Sequence, residues 1–196
     1  LKRLTARQLK KGDAEVVTRN YSYLPGAGEN ETTLMVSGLT NTRGEEVCSQ
    51  FAYKYDEAGN ILSITSTRNL KEKLADGTSL ISTDNESTYV YDEQGQLIKE
   101  YSYSRNPANE DRDAYVLTYT YDANGNLLSW GDKDQPFVLS YDDENWPDLL
   151  TGFRGNAITY DAIGNPLHWY DGTDFTWANG RRLASAVNTD TGLNVS

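Results

Sequence analysis

The sequence predicts an all-β protein, an antiparallel array of short β-hairpins, and three observations predict it. The phrase Tyr-Asp-x-x-Gly occurs four times: Tyr55-Asp56 with Gly59, Tyr91-Asp92 with Gly95, Tyr121-Asp122 with Gly125, and Tyr160-Asp161 with Gly164. The flanks of each phrase alternate apolar or aromatic residues with polar ones, the period-two signature of a strand with one covered face. Hydrophobic residues make up only 37% of the 196, against 16 Gly and 14 Tyr. That composition suits a turn-rich sheet protein and leaves too little apolar surface for a thick two-layer core.

The unit is clearest in Leu117-Thr118-Tyr119-Thr120, Tyr121 to Asn126, and Leu127-Leu128-Ser129-Trp130. Asp122 stands where a type I turn wants a short acceptor for backbone N–H groups. Gly125 follows three residues later, where the chain needs positive φ to form a G1 bulge and return. Copies begin at 55, 91, 121 and 160, with a degenerate copy lacking glycine at Tyr141-Asp142-Asp143-Glu144-Asn145, so the intervals are 36, 30, 20 and 19 residues. The short intervals hold two strands and their turns. The long ones hold an additional hairpin or loop.

Taken in order, residues 2–24 read as a hairpin: Arg3–Lys10 out, Lys11-Gly12-Asp13 turning, Glu15–Tyr23 back. Pro25 to Asn30 is a loop, and Thr32–Leu39 and Glu46–Tyr55 are strands joined through Asn41-Thr42-Arg43-Gly44. The first Tyr-Asp hairpin returns along Ile61–Thr67. Residues 69–74 suit either one helical turn capped by Asn69 and stopped at Asp76-Gly77, or the tip of an irregular hairpin. Residues 104–114 are a polar loop and 131–136 a turn. Tyr170-Asp171-Gly172 and Ala178-Asn179-Gly180 supply further turns, the Asn-Gly pair being a type I′ signal.

Aligned on their glycines, the copies place an apolar residue third (Leu62, Ile98, Leu128, Leu167) and a polar one fourth (Ser63, Lys99, Ser129, His168). Tyr55, Tyr91 and Tyr121 share a face with Tyr53, Tyr89 and Tyr119 two residues earlier, forming columns that can stack across strands at about 0.2–1 kcal/mol per pair.

These phrases closely resemble the rearrangement-hot-spot (RHS) or YD-repeat family, in which the stretch from Ile158 to Ser185 also looks at home. The match covers residues 51–187; residues 1–50 are divergent N-terminal hairpins, and residues 188–196 are the truncated start of a further repeat. The resemblance implies a single YD-repeat segment over residues 1–196, its sheet curving or spiralling as part of a larger shell or barrel. Bacterial toxin relatives enclose a C-terminal effector in such a shell, and the animal teneurins carry a similar barrel on the cell surface. It therefore implies a structural segment of a large secreted or cell-surface bacterial protein, with flanking repeats and an enclosed C-terminal domain as partners. Tyr55, Asp56, Gly59, Tyr91, Asp92, Gly95, Tyr121, Asp122, Gly125, Tyr160, Asp161 and Gly164 are then structural turn residues, with no catalytic, cofactor or metal site expected.

The residues' own chemistry agrees with that expectation. A net charge of −11 disfavours nucleic acid and anionic membrane surfaces, which clustered Lys and Arg would have to neutralise. Lys2, Arg3, Arg7, Lys10 and Lys11 read as an exposed strand that discourages edge pairing. His168, the single histidine, is the natural general-base candidate but stands in the polar, variable column with no nucleophile motif beside it. Asp122, Asn124 and Asn126 mimic the start of a calcium loop, yet Leu127 and Lys133 occupy its Gly and Glu positions. Asp132/Asp134 and Asp142-Asp143-Glu144 read as solvated loop tips.

Two competing readings remain: a glycan- or partner-binding module using Trp130, Trp146, Trp169 and Trp177, and a glycoside hydrolase with a carboxylate pair. The repeated Asp-Pro-x-Gly phrases of self-cleaving relatives do not occur, so self-proteolysis is not assigned. Cys48, the lone cysteine, excludes an internal disulfide and reads as a half-buried strand residue. Sequons stand at Asn20, Asn30, Asn85 and Asn194. The sequence shows no signal peptide and no apolar span, and it starts without Met, which predicts a piece of a longer chain. The pattern puts a turn near Asp190–Gly192 and a strand from Leu193, leaving Leu183–Val187 short of its next neighbour.

Overall fold

The computed structural model describes the backbone of residues 2–12, 14–28, 31–74, 77–105 and 112–195. Asp13, Asn30 with its sequon, Asp76 and residues 106–111 of the polar loop lie outside the described residues. The described chain is all-β and antiparallel, without a helix. It forms two compact units, Leu1–Val116 and Leu117–Ser196.

In the first unit β1 (Ala6–Lys11), β2 (Ala14–Pro25), β3 (Thr32–Arg43), β4 (Glu46–Tyr55), β5 (Ile61–Leu74), β6 (Gly77–Tyr91) and β7 (Leu97–Arg105) pair in chain order. In the second, the end of β8 (Arg112–Tyr121) pairs with β9 (Leu127–Asp132), followed by β10 (Gln135–Ser140), β11 (Gly152–Phe153) and β12 (Asn156–Ala157). A separate sheet of this unit runs β13 (Thr159–Tyr160), β14 (Pro166–His168), β15 (Asp174–Ala178), β16 (Arg182–Asn188) and β17 (Leu193–Val195). Every neighbour in these ladders is next in sequence, the arrangement that hairpins generate without crossovers.

Several boundaries differ from the sequence reading. The helical turn at 69–74 does not form. β5 and β6 run unbroken to a Leu74–Gly77 pair with no register shift, because one isolated helical turn is marginal while each added ladder pair satisfies two backbone groups. β3 continues to Arg43, with Gly44 at φ +58° making the turn, instead of ending at Leu39. β2 extends through Pro25, which pairs with Thr32 beyond a register shift where a missing N–H is tolerated. β8 begins at Arg112, inside the expected 104–114 loop, and the 131–136 turn contracts to Lys133-Asp134. Arg154 (φ +53°) and Gly155 (φ +82°) form a two-residue hairpin between β11 and β12, beyond the turns expected from the sequence. The strand expected from Leu193 forms as β17, which pairs with Ala186–Asn188 at the end of β16.

The apolar core is thin. Only Ile158 and Ala186 are buried hydrophobic residues among those described, beside buried Ser63, Asn165, Thr173 and Asn188. The third-after-glycine column is not a core, since Leu62 is 41% and Leu167 40% exposed while fourth-position Ser63 is 7%. Leu62 falls in the bulge, where Lys54 pairs with Ser63 and Tyr55 with Ile61, so it has no residue opposite it.

Polar cross-strand pairs fill part of the place of a core. Thr120 and Ser129 meet at 2.6 Å, Thr176 and Ser185 at 2.7 Å, and Thr67 donates to Asp84 at 2.8 Å. Each pair sits directly opposite in its ladder, the arrangement that makes such contacts stabilising. In the second unit an aromatic row adds packing: Trp130 to Phe137 at 4.6 Å, Phe137 to Phe153 at 6.0 Å, Phe153 to Tyr170 at 4.6 Å.

Candidate functional site

Among the described residues the repeated turns form a constellation that recurs in all four copies. In each, the amide of Gly59, Gly95, Gly125 or Gly164 donates to the carbonyl of its aspartate at 3.1–3.2 Å. The aspartate amide donates in return to the carbonyl of Asn60, Gln96, Asn126 or Asn165 at 2.9–3.0 Å. The glycines have φ of +91°, +79°, +89° and +84°, and the register shifts beside them complete a type I turn with a G1 bulge.

The aspartate side chain locks this loop. Asp122 Oδ1 accepts the amides of Asn124 and Asn126 at 2.9 and 2.8 Å, and Asp161 Oδ1 accepts those of Ile163 and Asn165 at 3.0 and 2.9 Å. The residue after glycine adds a side-chain bond: Asn60, Asn126 and Asn165 Nδ2 donate to Asp56, Asp122 and Asp161 Oδ2 at 2.9, 2.8 and 2.8 Å. Hydrogen bonds from Asn60 hold the Asp56 carboxyl below its ordinary value. For Asp122 and Asp161 partial burial pushes upward, but the hydrogen bonds from Asn126 and Asn165 and the turn amides outweigh it, so both also sit low. These carboxylates are spent as acceptors for their own turns.

Two of the asparagines also reach outward. Asn126 Nδ2 donates to Pro147 O at 2.9 Å, and Asn165 Nδ2 to Gly180 O at 2.8 Å, tying each turn to a later one. Asn188 repeats the device outside the Tyr-Asp phrase, donating to Asp171 O at 2.9 Å and Thr173 Oγ1 at 3.0 Å. The tyrosines make a second tie: Tyr55 Oη donates to Val36 O at 2.7 Å, Tyr91 to Ile61 O at 2.9 Å and Tyr160 to Leu150 O at 2.8 Å. Burial raises all three phenols; nearby Tyr53, Tyr89 and Tyr141 add to this, as does Asp56 beside Tyr91. Tyrosine thus works by its hydroxyl as well as by its ring. The asparagine ties left a trace in the sequence, since Asn follows the glycine in three of the four copies.

Between turns the surface is concave. A cleft of about 720 Å³ is lined by Asp56, Asn60, Tyr89, Tyr91 and Asp92 in the first unit. One of about 430 Å³ in the second is lined by Asp143, Trp146, Leu149, Tyr160 and Asp161. The degenerate copy builds the latter: lacking the glycine, it turns by giving the amides of Asn145 and Trp146 to Asp143 Oδ1 at 2.9 and 3.0 Å. This carries the Trp146 ring over Gly164, where a Cβ would lie 2.9 Å from it.

The other candidates are scattered. His168 Nδ1 meets Asp174 Oδ1 at 2.7 Å, with the two side chains 44% and 71% exposed. Trp177 Nε1 donates to Pro166 O at 2.7 Å, Trp130 packs on Phe137, and Trp169 lies 5.8 Å from Tyr170. Cys48 is half-buried. Among the described residues no group of three or more His, Cys, Asp or Glu is placed to hold a metal ion, and no helix is long and apolar enough to cross a membrane.

Known structures share this architecture. The crystal structure of TcdB2-TccC3-TEV superposes with a TM-score of 0.58 at 22% identity, covering 92% of this chain. The common feature is the fold. The chain spans 10% of the length of that protein. No family model and no curated protein matches the sequence.

Proposed function

We propose that this chain is a non-catalytic wall segment of an RHS-type YD-repeat shell in a large secreted or cell-surface bacterial protein. The shell encloses or presents a C-terminal effector domain of the same polypeptide. The observation that carries the reading is the turn-to-turn tie, Asn126 to Pro147 O and Asn165 to Gly180 O, in a sheet with almost no core of its own. Such a sheet gains stability from each neighbour, as repeat arrays do, and extends without limit set by core size. The resemblance of the Tyr-Asp phrases to the RHS family, and the fold shared with TcdB2-TccC3-TEV, support it further.

Limited proteolysis of the parent polypeptide tests the proposal. The C-terminal domain should resist digestion in the parent and become cleavable when Asn126→Ala and Asn165→Ala are introduced together. A C-terminal domain digested equally fast in both would overturn the enclosing role.

A glycan-binding role has one observation in its favour: Trp146, 46% exposed, beside the cleft that Tyr160 and Asp161 line. A glycan array repeated with Trp146→Ala separates this reading from a purely structural one.

A further inference from the structure

The turn between β15 and β16 holds a reactive dipeptide at a mechanical joint. Asn179 and Gly180 both have positive φ, +51° and +85°, and both are exposed. Apart from its two chain neighbours, no described residue stands within 4 Å of a Cβ built on Gly180, so the turn is sterically open. None of the described hydrogen bonds engages the Gly180 amide, whereas the amide of Gly125, in the sequence's other Asn-Gly dipeptide, donates to Asp122 O at 3.1 Å. An amide held by a carbonyl cannot readily turn on the side chain before it. One that is not held can.

We propose that Asn179 is a site of spontaneous deamidation and isomerisation, and that its conversion loosens the fastening of the fourth Tyr-Asp turn. In the first step the Gly180 nitrogen bonds to Asn179 Cγ, the Cγ–Nδ2 bond breaks, and ammonia leaves with the displaced proton. Water then opens the resulting succinimide. Attack at Cγ leaves an ordinary aspartate; attack at the main-chain carbonyl leaves isoaspartate, whose backbone runs through the side chain and is one carbon longer.

That extra carbon enters the turn beside two ties. Gly180 O accepts from Asn165 Nδ2 at 2.8 Å, and Arg181 Nη2 donates to Ile163 O at 2.9 Å. Asn165 is 4% exposed and its amide has Asp161 as its remaining partner, so a displaced Gly180 carbonyl leaves a buried donor half-satisfied. The other product, aspartate, keeps the backbone spacing and with it both ties.

Incubation of the folded protein in mildly alkaline buffer, followed by peptide mapping with isoaspartate detection, tests the site. Asn179 should convert several-fold faster than Asn124 in the native state, the two becoming equal in denaturant. Equal or slower conversion at Asn179 in the native state would overturn the proposal. The structural half is read separately, by resolving the products and melting each. The isoaspartate form should melt below the parent and Asn179→Asp close to it; an isoaspartate form that melts with the parent would overturn the loosening.

Discussion

Asn188 is the most buried side chain described, 2% exposed, and its replacement tests whether polar ties rather than a core hold the second unit. Its Nδ2 donates to Asp171 O and Thr173 Oγ1 at 2.9 and 3.0 Å, and its Oδ1 accepts the amides of Asp190 and Thr191, both at 3.0 Å. Asn188→Ala removes all four. Asp190, Thr191 and the Asp171 carbonyl are exposed and rehydrate, so each bond lost there costs about 0.5 kcal/mol; the Thr173 hydroxyl, 5% exposed, keeps its bond to the Asp171 carboxylate but loses an incoming donor at about 0.5–1.5 kcal/mol. The total is about 2–3 kcal/mol, or about 4–12 °C in melting temperature for a chain of this size. Asn188→Asp keeps the acceptor but turns a second acceptor on Asp171 O and buries a charge, and should fall at least as far as Asn188→Ala. Asn194→Ala, at an exposed site, should stay within about 0.5 kcal/mol of the parent. Circular dichroism melts read all three. If Asn188→Ala and Asn194→Ala melt within about 1 °C of each other, the ties contribute nothing and the reasoning fails.

Gly95→Ala and Gly164→Ala share left-handed strain of about 1–2 kcal/mol, but only at Gly164 would the new Cβ meet Trp146 at 2.9 Å. Gly164→Ala should therefore have the lower urea midpoint and altered tryptophan emission; equal midpoints would remove the Trp146 contact from the account. Tyr91→Phe loses the 2.9 Å bond to Ile61 O, and denaturant titration should show a loss of about 0.5–1.5 kcal/mol. Stability should form a plateau against pH. Asp56, Asp122 and Asp161 have folded values below the ordinary value of about 3.9, so their contribution is present above it and lost as pH falls through the lowered values. Tyr55, Tyr91 and Tyr160 have folded values raised above about 10, so theirs is present below 10 and lost as pH rises through the raised values. Melting temperatures independent of pH at either end would contradict that sign. His168→Gln removes an exposed contact to Asp174 and should change stability by less than about 1 kcal/mol; a drop of several degrees would show that the contact matters more than its exposure implies.

The strands and the repeated turns were legible because their signals are local. Alternation marks a strand, and a short carboxylate three residues before a glycine marks the turn that both must close. Strand ends were less so. Gly44, Lys133-Asp134 and Arg154-Gly155 turn the chain within two residues, and nothing in composition separates such a turn from the tip of a longer loop. The helical reading of 69–74 failed because Lys and Glu have good local helix propensity, and only the opposing strand, read from elsewhere in the chain, decides between the two. The apolar third-position column carries no face assignment for a related reason: a bulge displaces Leu62 by one residue, and a one-residue displacement changes which face a side chain serves.

The ties show where sequence reading stops in a repeat of this kind. Each has a donor of fixed identity, Asn126, Asn165, Asn188 or the phrase tyrosine, and the asparagines and tyrosines can be picked out by position. The acceptor is a main-chain carbonyl in nearly every case: Pro147, Gly180, Asp171, Val36, Ile61 and Leu150. A carbonyl belongs to every residue type, so the accepting side imposes no constraint that a sequence could record. The same fact explains how copies spaced by 36, 30, 20 and 19 residues coexist in one chain. A donor that asks only for a carbonyl at the right place accepts any loop that delivers one, and even the degenerate copy at Tyr141 delivers Pro147 to Asn126 without the glycine turn. Variation in the interval is therefore compatible with constancy of the joint, and substitutions at the donors should cost more than substitutions of the residues whose carbonyls they find, Gly180 with its φ of +85° excepted.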